Sequence, residues 1–397
     1  MSEEKNVPRL RFLGFTEPWE QRKFGDIFKE YSEKGHIELP ALTIIQGGGT
    51  VKREDSDRNL MYDESNLSNY KMVRKNDFIV HLRSFEGGLE KSSLDGIISP
   101  AYHTFHSDEI DSRFYYPYFR SFEFIKHKLV PHVYGIRDGR SIDIEGMKSI
   151  EIPYTSLSEQ QKIGDYLESL DQLITLHQRK LEHVEDLKKS MLQKMFPKNG
   201  QSYPEVRFSE FTDAWEQRKF GELFSRRMER NLGQFDNTRW ISVAKMYFQD
   251  PDKVTSNNID TRTYVMHEGD IAFEGHPNQE YRFGRFVAND IGDGVISELF
   301  PIYQHITPYD NNYWKYAIQL EAIMAPKLLR CIEISYTSSN KLDEKFFLEE
   351  YTMVPTIEEQ QKIGAYFSAL DRLITLHQRE LDHLQLLKKG MLQQMFV

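Results

Sequence analysis

The sequence predicts a mixed α+β fold: two α/β domains separated by two long antiparallel coiled-coil helices, as an internal duplication with pseudo-two-fold symmetry. Three observations support this prediction. Residues 159–196, a stretch of 38, return as residues 359–396 with 26 positions identical. Residues 8–28 return as residues 204–224. The residues between these repeats share little identity, so one common frame holds two different inserts, each large enough to be a domain.

The frame begins with an opening segment in each half. Both opening segments contain WEQRKFG, at residues 19–25 and 215–221. The order of opening segment, insert and helix occurs twice and divides the chain into four regions. We place the first domain at 1–155 with opening segment 8–28, the central helix at 156–200, the second domain at 201–355 with opening segment 204–224, and the C-terminal helix at 356–397.

Both inserts have the patterns of mixed α/β domains. Short apolar runs at residues 78–82, 96–98, 270–273 and 294–297 are bounded by Gly, Pro, Asp and Asn, as strands are. Residues 114–130 and 313–332 have helical spacing with aromatic faces, and Pro326 is expected to break the second helix. We expect the aromatic side chains to lie in the domain cores.

Each repeated stretch predicts one long helix with a single apolar stripe, whose residues are spaced alternately by four and three. Ser156 with Glu159, and Thr356 with Glu359, fit capping boxes at the two helix starts. A stripe of two positions per heptad is too narrow for a globular core, so we expect the two stripes to pack together. The predicted seam residues are Ile163, Leu167, Leu170, Ile174, Leu181, Val184, Ile363, Phe367, Leu370, Ile374, Leu381 and Leu384.

Composition narrows the class of protein. The chain has 397 residues, of which 39% are hydrophobic, enough for two or more domains with cores. A single cysteine, Cys331, excludes an internal disulfide and fits a reducing, cytoplasmic setting. No signal peptide or membrane span is predicted, so we expect a soluble cytoplasmic protein. The net charge of −10 means that any nucleic-acid contact must be made by a local basic face or be helped by a partner.

Catalytic signatures are mostly absent. The glycines at residues 47–49 lack the spacing of a P-loop, and the histidines are scattered rather than clustered. Residues 99–102, SPAY, resemble the four-residue motif that holds adenine in amino-methyltransferases, but they lack its second proline and no glycine-rich cofactor turn precedes them. We therefore predict no catalytic residue, no metal and no cofactor bound by this chain.

Each insert does contain polar, basic loops suited to DNA. Arg reads guanine and Asn or Gln reads adenine in the major groove, while Ser, Tyr and Lys hold phosphates. Ordinary surface turns are the alternative interpretation of any one residue. The candidates are Arg83, Ser84, Lys91, Tyr134, Arg137, Arg140 and Ser141 in the first insert, and His276, Asn278, Gln279, Tyr281, Arg282, Arg285, Tyr336, Ser338, Asn340 and Lys341 in the second.

The doubled frame resembles the specificity subunit of type I restriction-modification systems across essentially the whole chain. The resemblance rests on the paired WEQRKFG segments, the EQQKIG helix starts, LDQLITLHQRK with LDRLITLHQRE, and the closing MLQKMF and MLQQMF. Residues 137–142, RDGRSI, also look like the polar segment that the family places before its shared helix. The second half has SSNKL at residues 338–342 instead.

The resemblance implies a non-catalytic DNA-recognition subunit. In the family, each target-recognition domain reads one half of a bipartite target in double-stranded DNA, and the helices set the gap and dock two methyltransferase subunits. Those subunits methylate adenine N6 with S-adenosylmethionine, and restriction subunits add ATP- and Mg-dependent translocation and cleavage. Two alternatives stay open: a self-sufficient DNA methyltransferase, and a coiled-coil adaptor whose inserts bind protein or small ligands.

Overall fold

The computed structural model describes residues 7–56, 64–135, 141–198, 200–254, 258–335 and 339–396. The chain divides into two compact units. Unit 1 comprises Met1–Gln178 together with Arg379–Val397, and unit 2 comprises Arg179–Gln378. Each long helix therefore belongs partly to unit 1 and partly to unit 2. The division made from the sequence instead treated each long helix as a separate region.

Unit 1 consists mainly of short strands and helices that precede the first long helix. Its strands are β1 (Glu20–Lys23), β2 (Lys29–Tyr31), β3 (Leu42–Ile45), β4 (Gly49–Lys52), β5 (Lys71–Val73), β6 (Phe78–Val80), β7 (Glu90–Lys91), β8 (Gly96–Ile98), β9 (His103–His106), β10 (Val133–Tyr134), β11 (Ser141–Ile142) and β12 (Glu151–Tyr154). Its helices are α1 (Phe24–Ile27), α2 (Ser84–Gly87), α3 (Ser112–Phe119), α4 (Ile144–Lys148) and α5 (Leu157–Lys194), the last extending into unit 2, with a π-helix at Glu123–Leu129 and 3-10 turns at Arg53–Asp55, Glu64–Asn69 and Val130–His132.

Antiparallel pairing organises these strands around one four-stranded sheet in the order β2-β9-β6-β7. Two-stranded pairs β3-β4, β5-β8 and β10-β11 accompany it. The pair β1-β12 joins the opening segment to the residues just before α5, with Glu20 opposite Tyr154 and Lys23 opposite Glu151. The two ends of the insert are therefore held together by hydrogen bonds at the start of the long helix.

Unit 2 repeats this organisation. Its strands are β13 (Glu216–Lys219), β14 (Phe224–Arg227), β15 (Ile241–Ser242), β16 (Tyr247–Phe248), β17 (Thr263–Met266), β18 (Ile271–Glu274), β19 (Arg285–Ala288), β20 (Gly294–Ser297), β21 (Ile302–His305), β22 (Ile332–Glu333), β23 (Lys341–Leu342) and β24 (Tyr351–Val354). Its helices are α6 (Phe220–Leu223), α7 (Asn311–Ala317), α8 (Glu321–Cys331), α9 (Glu344–Glu349) and α10 (Ile357–Met395), the last ending in unit 1, with 3-10 turns at Asn237–Arg239 and Pro251–Lys253.

The sheets of the two units correspond strand for strand over the described residues. The four-stranded sheet of unit 2 has the order β14-β21-β18-β19, and its pairs are β13-β24, β15-β16, β17-β20 and β22-β23. Adding twelve to each strand number of unit 1 reproduces this arrangement. The divergent inserts thus share one topology, which their sequences alone do not reveal.

Aromatic side chains fill the core of each unit. In unit 1, Phe28 contacts Phe78 at a ring distance of 5.5 Å and Phe119 at 5.6 Å. In unit 2, Phe224 contacts Trp314 at 5.0 Å. All of these residues are buried, as predicted for the aromatic faces. Edge-to-face pairs of this kind each add about 0.5–1.5 kcal/mol beyond the burial of their area.

The long helices pack antiparallel, as contacts inside each unit show. In unit 1, Lys388 near the end of α10 forms an ion pair with Asp171 of α5. In unit 2, Lys188 near the end of α5 lies 2.6 Å from Asp371 of α10. The mixed α+β fold with two long paired helices is thus confirmed.

The first turns of each helix belong to a domain core rather than to a helix seam alone. Ile163 and Leu167 pack within the aromatic core of unit 1, and Ile363, Phe367 and Leu370 pack within that of unit 2. The physical reason is that each helix follows within three residues of the strand that closes its domain sheet. The prediction that the stripe is too narrow to join a globular core therefore does not hold for these turns.

The predicted capping boxes form only in part. The hydroxyls of Ser156 and Thr356 accept hydrogen bonds from the backbone N–H groups of Glu159 and Glu359, each at 3.4 Å. The glutamate side chains bind Arg11 and Arg207. A charged guanidinium is a stronger partner for a buried carboxylate than the backbone N–H of a capping box.

Two predicted helices are divided in the structure. Residues 114–130 form α3 and a π-helix, and residues 313–332 form α7 and α8 with the break at residues 318–320. Pro326 lies inside α8, so the prediction that it breaks the helix was wrong. A proline inside a helix removes one backbone hydrogen bond, and buried Met324 and Leu328 on either side of Pro326 pack this helix in the core. Among the described residues, no helix is long and apolar enough to cross a membrane.

Candidate nucleic-acid interface

The first candidate loop connects β6 to β7 in unit 1 and contains α2. Its anchor is Glu90, whose fully buried carboxylate accepts hydrogen bonds from the N–H groups of Gly47 at 2.7 Å and Gly49 at 3.1 Å. Tyr116 donates to the same carboxylate at 2.7 Å and Arg120 at 2.9 Å. The glycine turn at residues 47–49 thus binds an internal anion of the protein. These hydrogen bonds hold the end of the β6-β7 loop at Glu90 in place.

The candidates of this loop differ in accessibility. Arg83 is exposed just before α2. Ser84 is fully buried, and its hydroxyl accepts from the N–H of His81 at 2.9 Å, so Ser84 supports the turn instead of facing solvent. Lys91 is half-buried with its ammonium 5.7 Å from the centre of the Tyr116 ring, and burial lowers the pKa of Lys91.

The hairpin β10-β11 carries the other candidates of unit 1. Tyr134 is exposed and pairs with half-buried Ser141 across the hairpin. Arg137 and Arg140 lie outside the described residues. The hairpin leads directly into α4, which packs against α1 of the opening segment.

In unit 2 the corresponding loop connects β18 to β19. Glu274, only 4% exposed, accepts hydrogen bonds from the backbone N–H of His276 at 2.9 Å and from its Nδ1 at 2.5 Å. The Oδ1 atom of Asn278 accepts from the N–H groups of Glu280 and Tyr281, each at 2.8 Å. The exposed tip contains His276, Asn278, Gln279 and Arg282.

Buried groups hold this loop in place. The guanidinium of Arg285 lies 4.6 Å from the centre of the Tyr281 ring and donates to the carbonyl of Ala244. Burial raises the pKa of Tyr281. Tyr281 and half-buried Arg285 are therefore braces of the loop, while its neighbour Arg282 points to solvent.

The structure brings two predicted segments of unit 2 together. The N–H of Asn340 donates to the carbonyl of Gly275 at 2.9 Å, and Asn340 Oδ1 accepts from the N–H of Ser335. A Cβ atom on Gly275 would lie 2.1 Å from the Asn340 carbonyl oxygen, so only glycine allows this approach. Asn340 is itself buried and Lys341 is exposed. Tyr336 and Ser338 lie outside the described residues.

Sequence reasoning missed a buried carboxylate beside the central strand of each sheet. Asp77 and Asp270 immediately precede β6 and β18, and both are almost fully buried. Asp77 accepts from Tyr31 and lies 2.6 Å from His106 Nδ1. Asp270 pairs instead with Arg227 at 2.7 Å. The matching Asp77-Phe78-Ile79 and Asp270-Ile271-Ala272 segments were the available sequence signal.

His106 and His267 make the stability of the two units pH-dependent. Burial opposes the charged form of His267, but hydrogen bonds to Glu229 and Asp293, each at 2.9 Å, outweigh burial and raise its pKa. The pKa of His106 is raised in the same way by Asp77 and Asp108. The pKa of each histidine is higher in the folded chain than in the unfolded chain, where it is 6.5, so protonation of the ring stabilises the fold. This stabilisation is fully present below pH 6.5 and is lost as pH rises through the folded-state pKa.

We therefore expect His267→Gln to destabilise unit 2 more at about pH 5.5 than at about pH 8.5. The expected cause is loss of the charged imidazole between two carboxylates, which matters only while the wild-type ring is protonated. Hydrogen exchange of unit 2 peptides across this range measures the effect, and unit 1 peptides are the internal reference. A difference between variant and wild type that grows with pH contradicts the assignment.

No group of three or more histidine, cysteine or acidic residues with the geometry of a metal site occurs within the described ranges. Cys331 is buried, and burial raises the pKa of its thiol to about 11. At neutral pH this thiol stays protonated, which makes it a poor nucleophile.

Comparisons with known proteins agree with these features. Residues 16–186 match the family model described as the type I restriction modification DNA specificity domain. The fold is similar to that of the type I restriction-modification S subunit from M. genitalium, with a TM-score of 0.58, 15% identity, and coverage of 98% of this chain and 99% of that chain. The HsdS subunit from Thermoanaerobacter tengcongensis gives a TM-score of 0.48 and 16% identity, covering 95% and 96%. A search among curated proteins found no match.

Residues 16–186 thus carry a DNA specificity domain, a class of protein module that selects sequence. Residues 204–224 and 359–396 repeat the frame segments 8–28 and 159–196, and unit 2 repeats the topology of unit 1. Residues 16–186 therefore belong to the family of type I restriction-modification DNA specificity domains, and the chain as a whole is similar in fold to an S subunit of such a system.

Proposed function

We propose that each unit reads one half of a bipartite DNA target. The observation that carries this proposal is the strand-for-strand identity of the two sheets combined with unlike loops at the same sheet positions. A shared scaffold with different exposed side chains is what two different half-sites require, because base edges are read by individual hydrogen-bonding groups. The reading surface of unit 1 includes Arg83 and Tyr134, and that of unit 2 includes Arg282 and Lys341. The regions 1–155 and 201–355 would then be target-recognition domains.

The chain would contribute recognition without chemistry. Methyl transfer to adenine N6 from S-adenosylmethionine, and DNA translocation and cleavage with ATP and Mg, would come from methyltransferase and restriction subunits. The net charge of −10 supports this proposal. DNA is negatively charged, so a negative chain would need positive charge from partner subunits to gain electrostatic affinity for it.

Two equivalent leucine patches support the docking of two methyltransferase subunits. In unit 1, Leu173 and Leu176 lie one helical turn apart on α5, off the seam, and are 43% and 44% exposed. In unit 2, Leu373 and Leu376 hold the same places on α10. Exposed apolar residues that recur at identical repeat positions favour two copies of the same partner. Each long helix belongs in part to each unit, and we propose that the length of the helices sets the gap between half-sites.

Replacing Leu173 and Leu176 with glutamate is expected to remove one methyltransferase subunit and leave the other. Burying a leucine contributes about 1.5–3 kcal/mol, and a carboxylate in the same interface is strongly unfavourable. Native mass spectrometry should show one methyltransferase subunit per chain for this variant and for Leu373→Glu with Leu376→Glu, and none when all four are changed. Leu299→Glu, an exposed leucine of unit 2, is the control. Retention of two subunits by the four-fold variant would exclude these patches.

Mapping of N6-methyladenine on single DNA molecules tests the main proposal. The chain is expressed with its methyltransferase subunits in a strain that lacks other adenine methylation. We expect one motif of two defined halves separated by a gap of fixed length. A continuous motif would refute two independent readers. Methylation by the chain without its partners would favour the self-sufficient methyltransferase, and no effect of either insert on the target would favour the adaptor.

A further inference from the structure

The connection between the two central strands differs between the units more than the sheets do. Ten residues separate the paired residues Ile79 and Glu90 in unit 1. Fourteen residues separate their counterparts Ala272 and Val287 in unit 2. The longer connection extends the β18-β19 hairpin to Glu274 and Arg285 and adds an exposed polar tip. This tip is the feature of unit 2 that lacks an equivalent in the sheet of unit 1.

The base of the tip is rigid. Glu274 is buried, Gly275 is in contact with the backbone of Asn340, and Arg285 stacks on Tyr281. The N–H of Arg282 donates to the Glu321 carboxylate of α8 at 3.1 Å. Because the base is fixed at four points, side chains on the tip are presented in a defined orientation before any ligand binds, which lowers the entropy cost of binding.

His276 has a defined hydrogen-bonding character in this tip. A carboxylate can only accept hydrogen bonds, so the Nδ1 atom that lies 2.5 Å from Glu274 must carry the proton. In the neutral ring the other nitrogen, Nε2, is then an acceptor. The side chain is 63% exposed, so Nε2 is available outside the protein. Asn278 offers a donor instead of an acceptor. Its Oδ1 atom already accepts hydrogen bonds from the loop backbone, so its amide NH2 group is the part left to bind a ligand.

We propose that His276 is a specificity-determining residue of unit 2, which reads a base through Nε2 as a hydrogen-bond acceptor, and that Glu274 is its positioning residue. This inference rests on the proposed reading of a half-site by unit 2. In the major groove only adenine N6 and cytosine N4 present donors to such an acceptor. Thymine and guanine at that position offer acceptors and leave Nε2 unpaired. His276 therefore selects an amino-bearing base at one position of one half-site.

Two substitutions test this assignment. His276→Ala removes the acceptor, and the preference for the amino-bearing base should fall by about tenfold at one position. Glu274→Gln has nearly the same shape, but its amide offers Nδ1 both an acceptor and a donor, so the ring proton is no longer confined to Nδ1. The preference at the same position should then relax. His276 is exposed, so its loss should leave folding intact.

The experiment uses the full chain with its methyltransferase subunits, and N6-methyladenine is mapped at cognate and near-cognate genomic sites. His36→Gln is the matched control, because His36 is also held through Nδ1 by a nearby carboxylate, Glu38 at 3.1 Å, but lies outside the candidate loops. Change confined to one position, shared by both variants and absent from the control, supports the assignment. An unchanged motif, or weakening spread evenly over the half-site, overturns it. Absence of any bipartite motif for the wild-type complex would instead refute the proposed function.

Discussion

Replacing Arg11 with methionine is expected to destabilise unit 1 by about 3–5 kcal/mol, the usual loss when one partner of a buried ion pair is removed. Arg11 Nε lies 2.6 Å from Glu159 Oε1, and Arg11 Nη2 lies 2.8 Å from Oε2. The carboxylate is fully buried at the first turn of α5. Without the guanidinium, the negative charge of Glu159 loses its partner in a site where water cannot replace it.

The pair joins three parts of the frame. Arg11 and Trp19 belong to the opening segment. Glu159 lies in α5, and Thr155 lies in the short connection between β12 and α5. Trp19 Nε1 donates to the same carboxylate at 3.1 Å, and the Thr155 hydroxyl donates as well. The pair therefore fixes where the long helix leaves the domain.

Unit 2 provides a natural comparison. Arg207 binds Glu359 at 2.7 and 2.8 Å in the same bidentate way. Pro355 stands where unit 1 has Thr155, so that hydroxyl donor is lost, and Trp215 Nε1 is buried without a hydrogen-bond partner among the described residues. Glu359 thus depends more heavily on its arginine, and Arg207→Met should destabilise unit 2 at least as much as Arg11→Met destabilises unit 1.

Hydrogen exchange measured by mass spectrometry separates the two effects, because peptides of each unit report its own opening. Arg11→Met should weaken protection in unit 1, with unit 2 peptides of the same sample as reference. Arg262→Met is the control, since Arg262 is 64% exposed in its pair with Glu298 and a solvent-exposed pair of this kind contributes little to stability. Arg11→Met combined with Glu159→Met should recover much of the loss, because an apolar replacement of both charges is often tolerated. An Arg11→Met effect no larger than the control would contradict a structural role for the pair.

These arginines illustrate which parts of the fold were predictable. The repeated WEQRKFG and EQQKIG segments predicted the duplication and the long helices, because repeats and heptad spacing depend on sequence order alone. The contact of Arg11 with Glu159 spans 148 residues, and no local pattern carries it. The helix break at residues 318–320 was not predictable for the same reason. The helical periodicity of the sequence continues from Tyr313 to Leu328, and the break depends on tertiary packing.

The candidate site was predictable to the level of loops but not of individual side chains. Polar, basic composition predicts exposed loops, and residues 276–280 are exposed. It does not separate Arg282, which faces solvent, from Arg285, which lies against Tyr281, because both are arginines in one short loop. Burial of Ser84 and Asn340 likewise depends on strands and hairpins that are distant in sequence. Those residues hold the loops in place.

Replacing residues 29–155 with residues 225–355 of the same chain is expected to give a target with the unit 2 half-site on both sides of the gap. The transplant suits the frame because the anchoring strands match. Glu20 pairs with Tyr154 in unit 1, as Glu216 pairs with Val354 in unit 2, and the registers continue identically. Phe24 and Phe220 are the corresponding buried residues of α1 and α6.

One mismatch limits this exchange. Phe367 of α10 lies 5.1 Å from the Tyr316 ring in unit 2, whereas α5 has Leu167 at the corresponding position. The transplanted domain would meet a smaller side chain and leave a partly filled cavity, which costs about 1 kcal/mol or more. Adding Leu167→Phe should restore this contact. The chimera is therefore made both with and without Leu167→Phe, and the version with phenylalanine is expected to be the more stable.

Mapping of N6-methyladenine with the wild-type methyltransferase subunits gives the result. One half of the wild-type motif should disappear and the other should occur twice, since each unit keeps its own loops and the frame keeps its own partners. The controls are the wild-type chain and the single variant Leu167→Phe, which contains no transplanted insert. Both should retain the original motif. An active chimera with the original motif would show that residues 29–155 do not read DNA. Two altered halves would show that the units do not read independently, because a change confined to one insert would then have reached the other.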